Sequence, residues 1–315
     1  MNSIFLFVGL VTIITAPFVW WRLENDIPSA RFLTTHEKVQ AIERLRANQT
    51  GTGNREFKLS HLLELALESK TYLFIGMTLL LNLGTQVSNT FGPLILAGFG
   101  FNPYTTSLLN IPFGVLQFLA ILAGSYAAYK SRFKSFILAS FMLPVIAGTA
   151  LLYALPRTHS EQAPLMVGFY LFAFVFAGNP LIVAWIIGNT GGTTKKSVMM
   201  ACYQGASAAG NIVGPLLFTS NQAPAYHPGL RDVLGVFVAL VAVVFIQLAD
   251  LVVLNKMQRR KRVVNGKQAV LKDRSMEDHY VGYEEENETG DGPRLGEGAF
   301  LDLTDRKNDE FVYVY

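Results

Sequence analysis

Side-chain amides recur at helical spacing inside apolar stretches of this 315-residue chain. Asn82, Gln86 and Asn89 follow one another at i, i+4 and i+7, which places three amides on one face of a helix. Asn110 and Gln117 repeat this spacing in the next apolar stretch. An amide that faces lipid without a partner costs several kcal/mol, so these faces should meet a watery cavity or other helices. We predict that they line a solute cavity, with interhelical hydrogen bonding as the alternative.

Two later apolar stretches contain the other polar candidates. Asn179 and Trp185 lie in one of them, and Gln204 and Asn211 lie in the other, where they share a helical stripe with Ala208. We predict that all four polar residues contribute to the same cavity. The second stretch also contains small residues at a spacing that permits close helix packing or gating. These are Gly205, Gly210, Gly214 and Pro215.

Charged and metal-binding residues are rare in the same stretches. Thr71 to Tyr129 is a run of 59 residues without Asp, Glu, Lys or Arg, which a water-soluble domain could not hide from solvent. The single cysteine, Cys202, excludes a disulfide framework and a cysteine-based metal site. Asp250 lies near the end of an apolar stretch, and none of the stretches has an ionisable residue at its centre. We therefore expect no enzyme activity, cofactor, metal site or nucleic-acid partner.

The apolar stretches have the length of membrane-spanning helices. A bilayer core about 30 Å thick requires roughly 20 apolar residues per helix. Proline and polar breaks divide the chain into seven predicted spans, which are residues 2–21, 71–92, 107–129, 135–155, 164–187, 198–220 and 233–255. The predicted fold class is an all-α membrane protein, a helix bundle with the lipid bilayer as its solvent. No oligomer is implied.

The basic residues predict the orientation of the spans. Loops 130–134, 191–197 and 256–262 contain ten Lys and Arg residues, whereas the three alternating loops contain two. Basic loops remain in the cytosol. Residues 22–70 and the carboxy terminus are therefore predicted to be cytosolic, in an integral multi-pass membrane protein.

Two polar regions flank these spans. Between the first two spans, Thr34 and Glu37 have the spacing of a capping box and predict a short amphipathic helix within residues 22–70. A second short helix is predicted from Leu59 to Glu68. Residues 256–315 are polar and are predicted to form a largely disordered tail.

Four stretches are similar, in order and spacing, to the signature stretches of one transporter family. They are Ala30 to Gly51, Trp185 with Asn189 to Lys196, Gln204 to Pro215 with Ala223-Pro224-x-Tyr226, and Asp302-Leu303-Thr304-Asp305 with Asn308 and Phe311. They resemble, respectively, the central loop, the Trp…Asn-x-x-Gly-x-Thr-Lys-Arg stretch, the eleventh helix and the terminal motif. On these residues the chain is identified as a member of the fungal allantoate permease-like transporters, the anion:cation symporter family of the major facilitator superfamily.

The resemblance implies twelve spans in two six-helix halves and proton-coupled uptake of small organic anions or vitamins, through the plasma membrane. The seven predicted spans would be the sixth to the twelfth. Residues 1–21 would then be helix six, 22–70 the loop between the halves, and 71–255 the carboxy-terminal half. Anion binding needs a cation and proton coupling needs an acid, so both are expected in helices that this chain lacks. We therefore expect that the chain is truncated relative to the twelve-helix members of the family and is inactive alone.

Two other readings remain. Seven spans with an external amino terminus are also the arrangement of a G-protein-coupled receptor. The 49-residue first intracellular segment, the missing charged triplet after the third span and the single cysteine are unusual for a receptor. The other alternative is a non-functional remnant of the permease family.

Overall fold

The computed structural model describes residues 2–24, 26–46, 56–98, 102–156, 158–219, 226–271, 298 and 301–315. The described helices are α1 (Asn2–Arg22), α2 (Thr35–Arg46), α3 (Leu59–Ala66), α4 (Ser69–Gly98), α5 (Pro103–Ser131), α6 (Lys134–Ala154), α7 (Gln162–Leu171), α8 (Gly178–Gly188), α9 (Thr193–Val213) and α10 (His227–Val264). Short 3-10 helices occupy His159–Glu161, Phe172–Ala177 and Gly214–Leu217. The described chain contains no strand, so the all-α prediction is confirmed.

Five helical segments are long and apolar enough to cross a membrane. They lie within α1, α5, α6, the combined α7–α8 helix and α10. Helix α1 exposes apolar side chains all round, including Phe5 at 72% and Ile14 at 70% exposure. A helix that is apolar on every side needs lipid or another apolar partner around it.

Helices α4 and α9 are the more polar members of the bundle. Both are predicted to span the membrane, but the described residues of neither helix combine the length and hydropathy of a membrane span. The count of seven spans therefore remains a prediction. Helix α4 packs against α9 and α10, and α6 packs against α10 and α7. Two helices with predicted amide stripes, α4 and α9, are thus held together inside the bundle, where polar groups can find partners.

A break between α7 and α8 shapes the centre of the bundle. Pro180 has no backbone N–H and its ring crowds the carbonyl of residue 176, which favours a kink or break in the helix there. The chain relaxes into the 3-10 helix Phe172–Ala177 just before this proline. The break sets the position of the neighbouring Asn179.

Local signals fix several helix ends. Thr34 and Glu37 form the predicted capping box, with the Glu37 N–H donating to Thr34 Oγ1 at 3.4 Å and the Thr34 N–H donating to Glu37 Oε2 at 2.8 Å. Asn102 caps α5 by accepting from the Thr105 N–H at 2.8 Å. Helix α10 extends beyond the predicted span at both ends, and residues 256–264 continue it as about two and a half basic turns.

Residues 301–315, here called the terminal segment, lie across one end of the bundle. The Lys134 N–H at the start of α6 donates to the Tyr315 carbonyl at 2.6 Å, and Asn255 of α10 donates to the Tyr313 carbonyl at 2.8 Å. This end of the bundle, where α4, α6 and α9 begin and α8 and α10 end, is called the basic end. The polar tail predicted as largely disordered therefore contains a packed part, and residues 272–297 and 299–300 lie outside the described residues.

Candidate functional site

Three helices meet through side-chain hydrogen bonds inside the bundle. Asn82 on α4 and Asn179 on α8 exchange amide hydrogen bonds at 3.2 and 3.4 Å. The Tyr203 hydroxyl on α9 donates to Asn179 Oδ1 at 3.2 Å. Asn82 is 4% exposed and also donates to the Thr78 carbonyl one turn earlier, at 2.8 Å. Asn82, Asn179 and Tyr203 are called the amide cluster.

Small residues allow the three helices to approach closely enough for these bonds. A Cβ at Gly178 would lie 2.7 Å from the Leu81 side chain, so glycine there brings α8 against α4 beside the two asparagines. A Cβ at Gly210 would lie 2.7 Å from the Leu79 carbonyl, and one at Gly214 would lie 2.7 Å from the Leu83 carbonyl. Gly210 and Gly214 thus lie directly on the backbone of α4, as in other small-residue helix contacts.

The other predicted cavity residues are more exposed than this cluster. Gln86, Asn110, Gln117 and Asn211 are half-buried, and Gln204 is exposed. Asn110 donates to the Thr106 carbonyl of its own helix at 3.2 Å. The Asn89 side chain lies outside the described residues.

The remaining two small residues of α9 differ from Gly210 and Gly214. A Cβ added at Gly205 would have no neighbouring atom within 4 Å, so this glycine does not bring another helix close. Pro215 lies half-buried in the 3-10 helix that follows α9. Of the four residues predicted to pack or gate, Gly210 and Gly214 therefore make close contacts with another helix.

Trp185 lies at the basic end and has none of the amide cluster residues as a hydrogen-bond partner. Its side chain is fully buried, packs edge-on to Phe74 at 5.5 Å between ring centroids, and donates from Nε1 to the Val314 carbonyl at 2.8 Å. Asn189 donates to the same carbonyl at 3.0 Å and accepts from the Val314 N–H at 2.8 Å. These bonds join the end of α8 to the terminal segment.

A buried group of charges joins the terminal segment to the starts of α4 and α9. Lys195 Nζ lies 2.8 Å from Glu64 Oε1, 2.7 Å from Glu68 Oε1 and 2.8 Å from Asp305 Oδ1. Lys70 forms an ion pair with the other Asp305 oxygen and lies 3.3 Å from Glu68. These five residues are called the charged cluster. The side chains of Lys195 and Asp305 are both fully buried.

Mutual attraction keeps Asp305 and Lys195 ionised despite burial. Burial raises the pKa of the Asp305 carboxyl, but Lys70 and Lys195 outweigh it and hold that pKa below its ordinary value. Burial lowers the pKa of the Lys195 ammonium, but Asp305 and Glu68 outweigh it and raise the pKa. The pKa of Glu68 is raised, chiefly by burial. Glu68 therefore takes up a proton more readily than Asp305.

The terminal segment also supplies hydrogen bonds that a helix start requires. The Gly191 N–H donates to Asp305 Oδ1 at 3.1 Å, and the Thr193 N–H donates to Asp302 Oδ1 at 2.6 Å. These N–H groups lie at or just before the first turn of α9, whose dipole favours negative charge there. Two aspartates of the terminal segment therefore cap a helix that has no capping side chain of its own.

Three carboxylates of the charged cluster have the proximity of metal ligands. One oxygen from each of Glu64, Glu68 and Asp305 lies within 4.8 Å of the others. Lys195 Nζ, however, is within 2.8 Å of all three residues and has the place that a cation would take. The geometry therefore describes an ion-pair network in which an ammonium is the shared cation.

The charged cluster and Tyr203 are functional candidates that the sequence does not single out. In the sequence, Lys195 is one of several loop charges, and Asp305 is part of a terminal motif. A usable signal is the pair of acids three residues apart at Asp302 and Asp305, because this spacing matches the orphan N–H groups of a distant helix start.

Comparisons with known proteins place the chain among transporters. It is 37% identical over 227 residues to the MFS-type transporter cnsL of Penicillium expansum, covering 72% of this chain and 47% of that protein. It is 29% identical over 321 residues to the thiamine pathway transporter THI73 of Saccharomyces cerevisiae, and 28% identical over 326 residues to the allantoate permease of the same yeast. Each of these two alignments covers 99% of this chain and 54% of the relative.

These matches decide the family. The chain belongs to the allantoate permease-like transporters of the major facilitator superfamily. It spans about half the length of the curated relatives it matches. No protein-family model matches the chain, and no solved structure matches it. With its several apolar helices, this family member is an integral multi-pass membrane protein.

Proposed function

We propose that the chain forms part of a permease that moves a small organic solute across a membrane together with protons. Its relatives are named as transporters, one for allantoate and one in a thiamine pathway. The solute class that follows is an organic anion or a vitamin-like compound. The proposed location is the plasma membrane, with the basic end and the terminal segment in the cytosol, in keeping with the positive-inside rule.

The accessible amides beside the amide cluster are the observation that carries this proposal. The hydrogen bonds of the amide cluster lie between α4, α8 and α9 in a bundle with a large apolar core. Polar groups inside a membrane bundle are costly and are characteristic of solute pathways or of helix contacts. Gln86 and Gln204 on the same helices retain exposed surface, which a pure packing role would not need.

We assign two roles to the predicted cavity residues. Asn82 and Asn179 hold the helices together, while the more accessible amides face the solute. The solute-facing set is Gln86, Asn110, Gln117, Gln204 and Asn211. Asn89, whose side chain lies outside the described residues, belongs to this set by its helical spacing alone. Trp185 is left out of this wall because its indole N–H is bonded to the terminal segment.

Proton coupling requires a titratable acid in the permease. The apolar centres of the predicted spans contain no Asp, Glu, Lys, Arg or His. A transporter of anions and protons needs a cation for the one and an acid for the other, so we expect both outside these helices. This chain alone, in proteoliposomes with an imposed pH gradient, should then show no uptake of labelled allantoate, nicotinate or pantothenate.

A chimera tests the proposal directly. The aligned part of the yeast allantoate permease is replaced by this chain, and uptake of the same labelled solutes is measured in cells. We expect uptake of at least one of them, and a reduction of about tenfold for Gln86→Leu, the loss that about 1.4 kcal/mol of binding would produce. Gln268→Leu, an amide beyond the end of α10, is the control.

The possible results separate the two parts of the proposal. A chimera that reaches the cell surface but takes up none of the solutes contradicts the solute class. Uptake that Gln86→Leu and Gln204→Leu leave unchanged contradicts the assignment of these amides to the cavity wall. Proton-coupled uptake by this chain alone contradicts the expected position of the ionisable groups.

A further inference from the structure

A recess lies at the basic end between the terminal segment and α10. It has a volume of about 450 Å³, within the range of small-ligand sites. Arg132 and Phe133, between α5 and α6, form one side, and Lys256 and Arg259 of α10 form another. Residues 312–315 of the terminal segment close the third side. This recess is called the basic pocket.

The charged side chains that line the basic pocket are of one sign. Its lining side chains include four Lys and Arg residues and no Asp or Glu. Within the described residues, Lys256 and Arg259 are exposed and have no hydrogen-bond or ion-pair partner. Two acids of the terminal segment, Asp309 and Glu310, are instead paired with Lys267, each at 2.8 Å. Lys256 and Arg259 therefore present positive charge to the pocket.

The floor of the basic pocket is fixed by hydrogen bonds. Arg262 is 4% exposed and donates from Nη1 to the Asp309 carbonyl at 2.9 Å and from Nη2 to the Ala269 carbonyl at 3.2 Å. Asn255 donates to the Tyr313 carbonyl and accepts from the Tyr313 N–H at 2.9 Å. These bonds fix α10 and the terminal segment relative to each other. Lys256 and Arg259 therefore line a recess whose shape is held by hydrogen bonds.

An apolar surface continues from the pocket along the bundle. Phe133, at its edge, is 48% exposed, and its ring lies 6.1 Å from that of Phe136 on α6. Phe136 in turn lies 6.2 Å from Phe245 on α10, and both are about half exposed. A lipid-facing seam between α6 and α10 therefore leads to the basic pocket.

We propose that the basic pocket binds the phosphate-bearing headgroup of an anionic phospholipid, whose acyl chains lie along the α6–α10 seam. Lys256 and Arg259 bind the phosphate, since basic pockets at the cytosolic ends of membrane helices suit such headgroups and Arg pairs well with phosphate oxygens. Because residues 312–315 form one wall, the bound lipid also favours the docked terminal segment. This inference depends on the membrane location of the chain and is independent of its transport activity.

Native mass spectrometry of the full chain in detergent tests the proposal. The probe is dioctanoyl phosphatidylinositol 4-phosphate, and dioctanoyl phosphatidylcholine and inorganic phosphate serve as comparisons. We expect one tightly bound anionic lipid, and an affinity at least tenfold lower for Lys256→Gln/Arg259→Gln, because this variant removes both cations that bind the phosphate. Lys130→Gln/Arg306→Gln removes the same charge from exposed positions outside the pocket and should change the affinity little.

Each outcome bears on the assignment. Retained binding by Arg259→Lys, which preserves the charge, supports the site, and an unchanged thermal unfolding temperature of the double variant separates loss of the site from a folding defect. Equal binding of phosphatidylcholine, or equal affinity in the double and control variants, overturns the proposal. Displacement of the lipid by inorganic phosphate at equal concentration would assign the pocket to a soluble anion and overturn the lipid assignment.

Discussion

Asp305 is the residue on which the basic end depends most. Its carboxylate is fully buried and contacts Lys70, Lys195, the Gly191 N–H and the Tyr313 hydroxyl, the last at 2.8 Å. A carboxylate with this many charged and polar partners is stabilised in place, and each partner loses a hydrogen bond without it. The stability of the charged cluster therefore depends mainly on the Asp305 side chain.

Asp305→Asn should release the terminal segment. The amide has nearly the same shape but removes the carboxylate that two buried lysines share, and removal of one partner of a buried ion pair costs about 3–5 kcal/mol. Limited proteolysis should cut within residues 301–315 in the variant and not in the parent, and the thermal unfolding temperature should fall. Asp232→Asn, an exposed acid at the start of α10, is the matched control. Equal protease resistance in Asp305→Asn would show that the segment is held by its other contacts.

Docking of the terminal segment should be tightest in mild acid. The lowered pKa of Asp305 gives a stabilisation that is present above the ordinary carboxyl pKa, about 4, and is lost as the pH falls through its lower folded value. The raised pKa of Glu68 gives a stabilisation that is present below its ordinary pKa and is lost as the pH rises through its higher folded value. The two opposite dependences predict a maximum at a pH of about 4–5.

Hydrogen exchange of residues 301–315, corrected for intrinsic rates, measures this profile. Protection should increase from neutral pH to the maximum and decrease sharply in stronger acid. In Glu68→Gln the increase on the neutral side should vanish while the decrease in acid remains. A parent profile that rises steadily from pH 4 to pH 7 would be inconsistent with the assignment to Glu68.

At the scale of helices, small residues decide which elements touch. Sequence spacing places Gly210 and Gly214 on one small face of α9 and Gly205 on another, and it predicts close helix contact for both faces. Gly210 and Gly214 lie on the backbone of α4, while the space beside Gly205 is open. Periodicity identifies the faces of a helix, but it does not say which face another helix covers.

Gly210→Ala and Gly205→Ala form a matched pair on α9. The Cβ at position 210 would collide with backbone atoms of α4, and such overpacking costs about 1–3 kcal/mol. At position 205 the same methyl group has room, and a glycine-to-alanine change within a helix adds about 0.5–1 kcal/mol of stability. Thermal unfolding in detergent should therefore shift in opposite directions. Shifts of the same sign and size would mean that α9 does not lie on α4 through this face.

Much of the element scale can be predicted from the sequence. The capping box at Thr34 and Glu37 is a local effect, so local residues predict it. The break before Pro180 is absent from the sequence predictions, which treat residues 164–187 as one continuous span. The charged cluster cannot be predicted in this way, because Lys70 and Asp305 are 235 positions apart in the chain. Such contacts depend on which helix ends meet, and hydropathy contains no information about that. The spacing of Asp302 and Asp305 indicates a capped helix start but does not identify which helix is capped. The amide stripes are visible in the sequence, but the pairing of Asn82 with Asn179 depends on the close helix approach beside it.

For the whole molecule, orientation in the membrane is the main untested prediction. In a Cys202→Ala background, Ser160→Cys lies between α6 and α7, and Gln268→Cys lies beyond α10 at the basic end. The positive-inside rule predicts that an impermeant maleimide labels only Ser160→Cys on intact cells and both variants after permeabilisation. Labelling of Gln268→Cys alone on intact cells would reverse the topology and place the basic pocket on the external leaflet.

The terminal segment also sets an order of events during biogenesis. Residues 301–315 leave the ribosome after helices α1 to α10 have been made, yet they contain the carboxylate that Lys70 and Lys195 share and the caps for α9. Before residues 301–315 are synthesised, the N–H groups at the start of α9 lack their aspartate caps. Lys70 and Lys195 then also lack the carboxylate that they share. Closure of this end is therefore a late step, and a chain whose synthesis stops before residue 301 would present quality-control factors with an open polar surface.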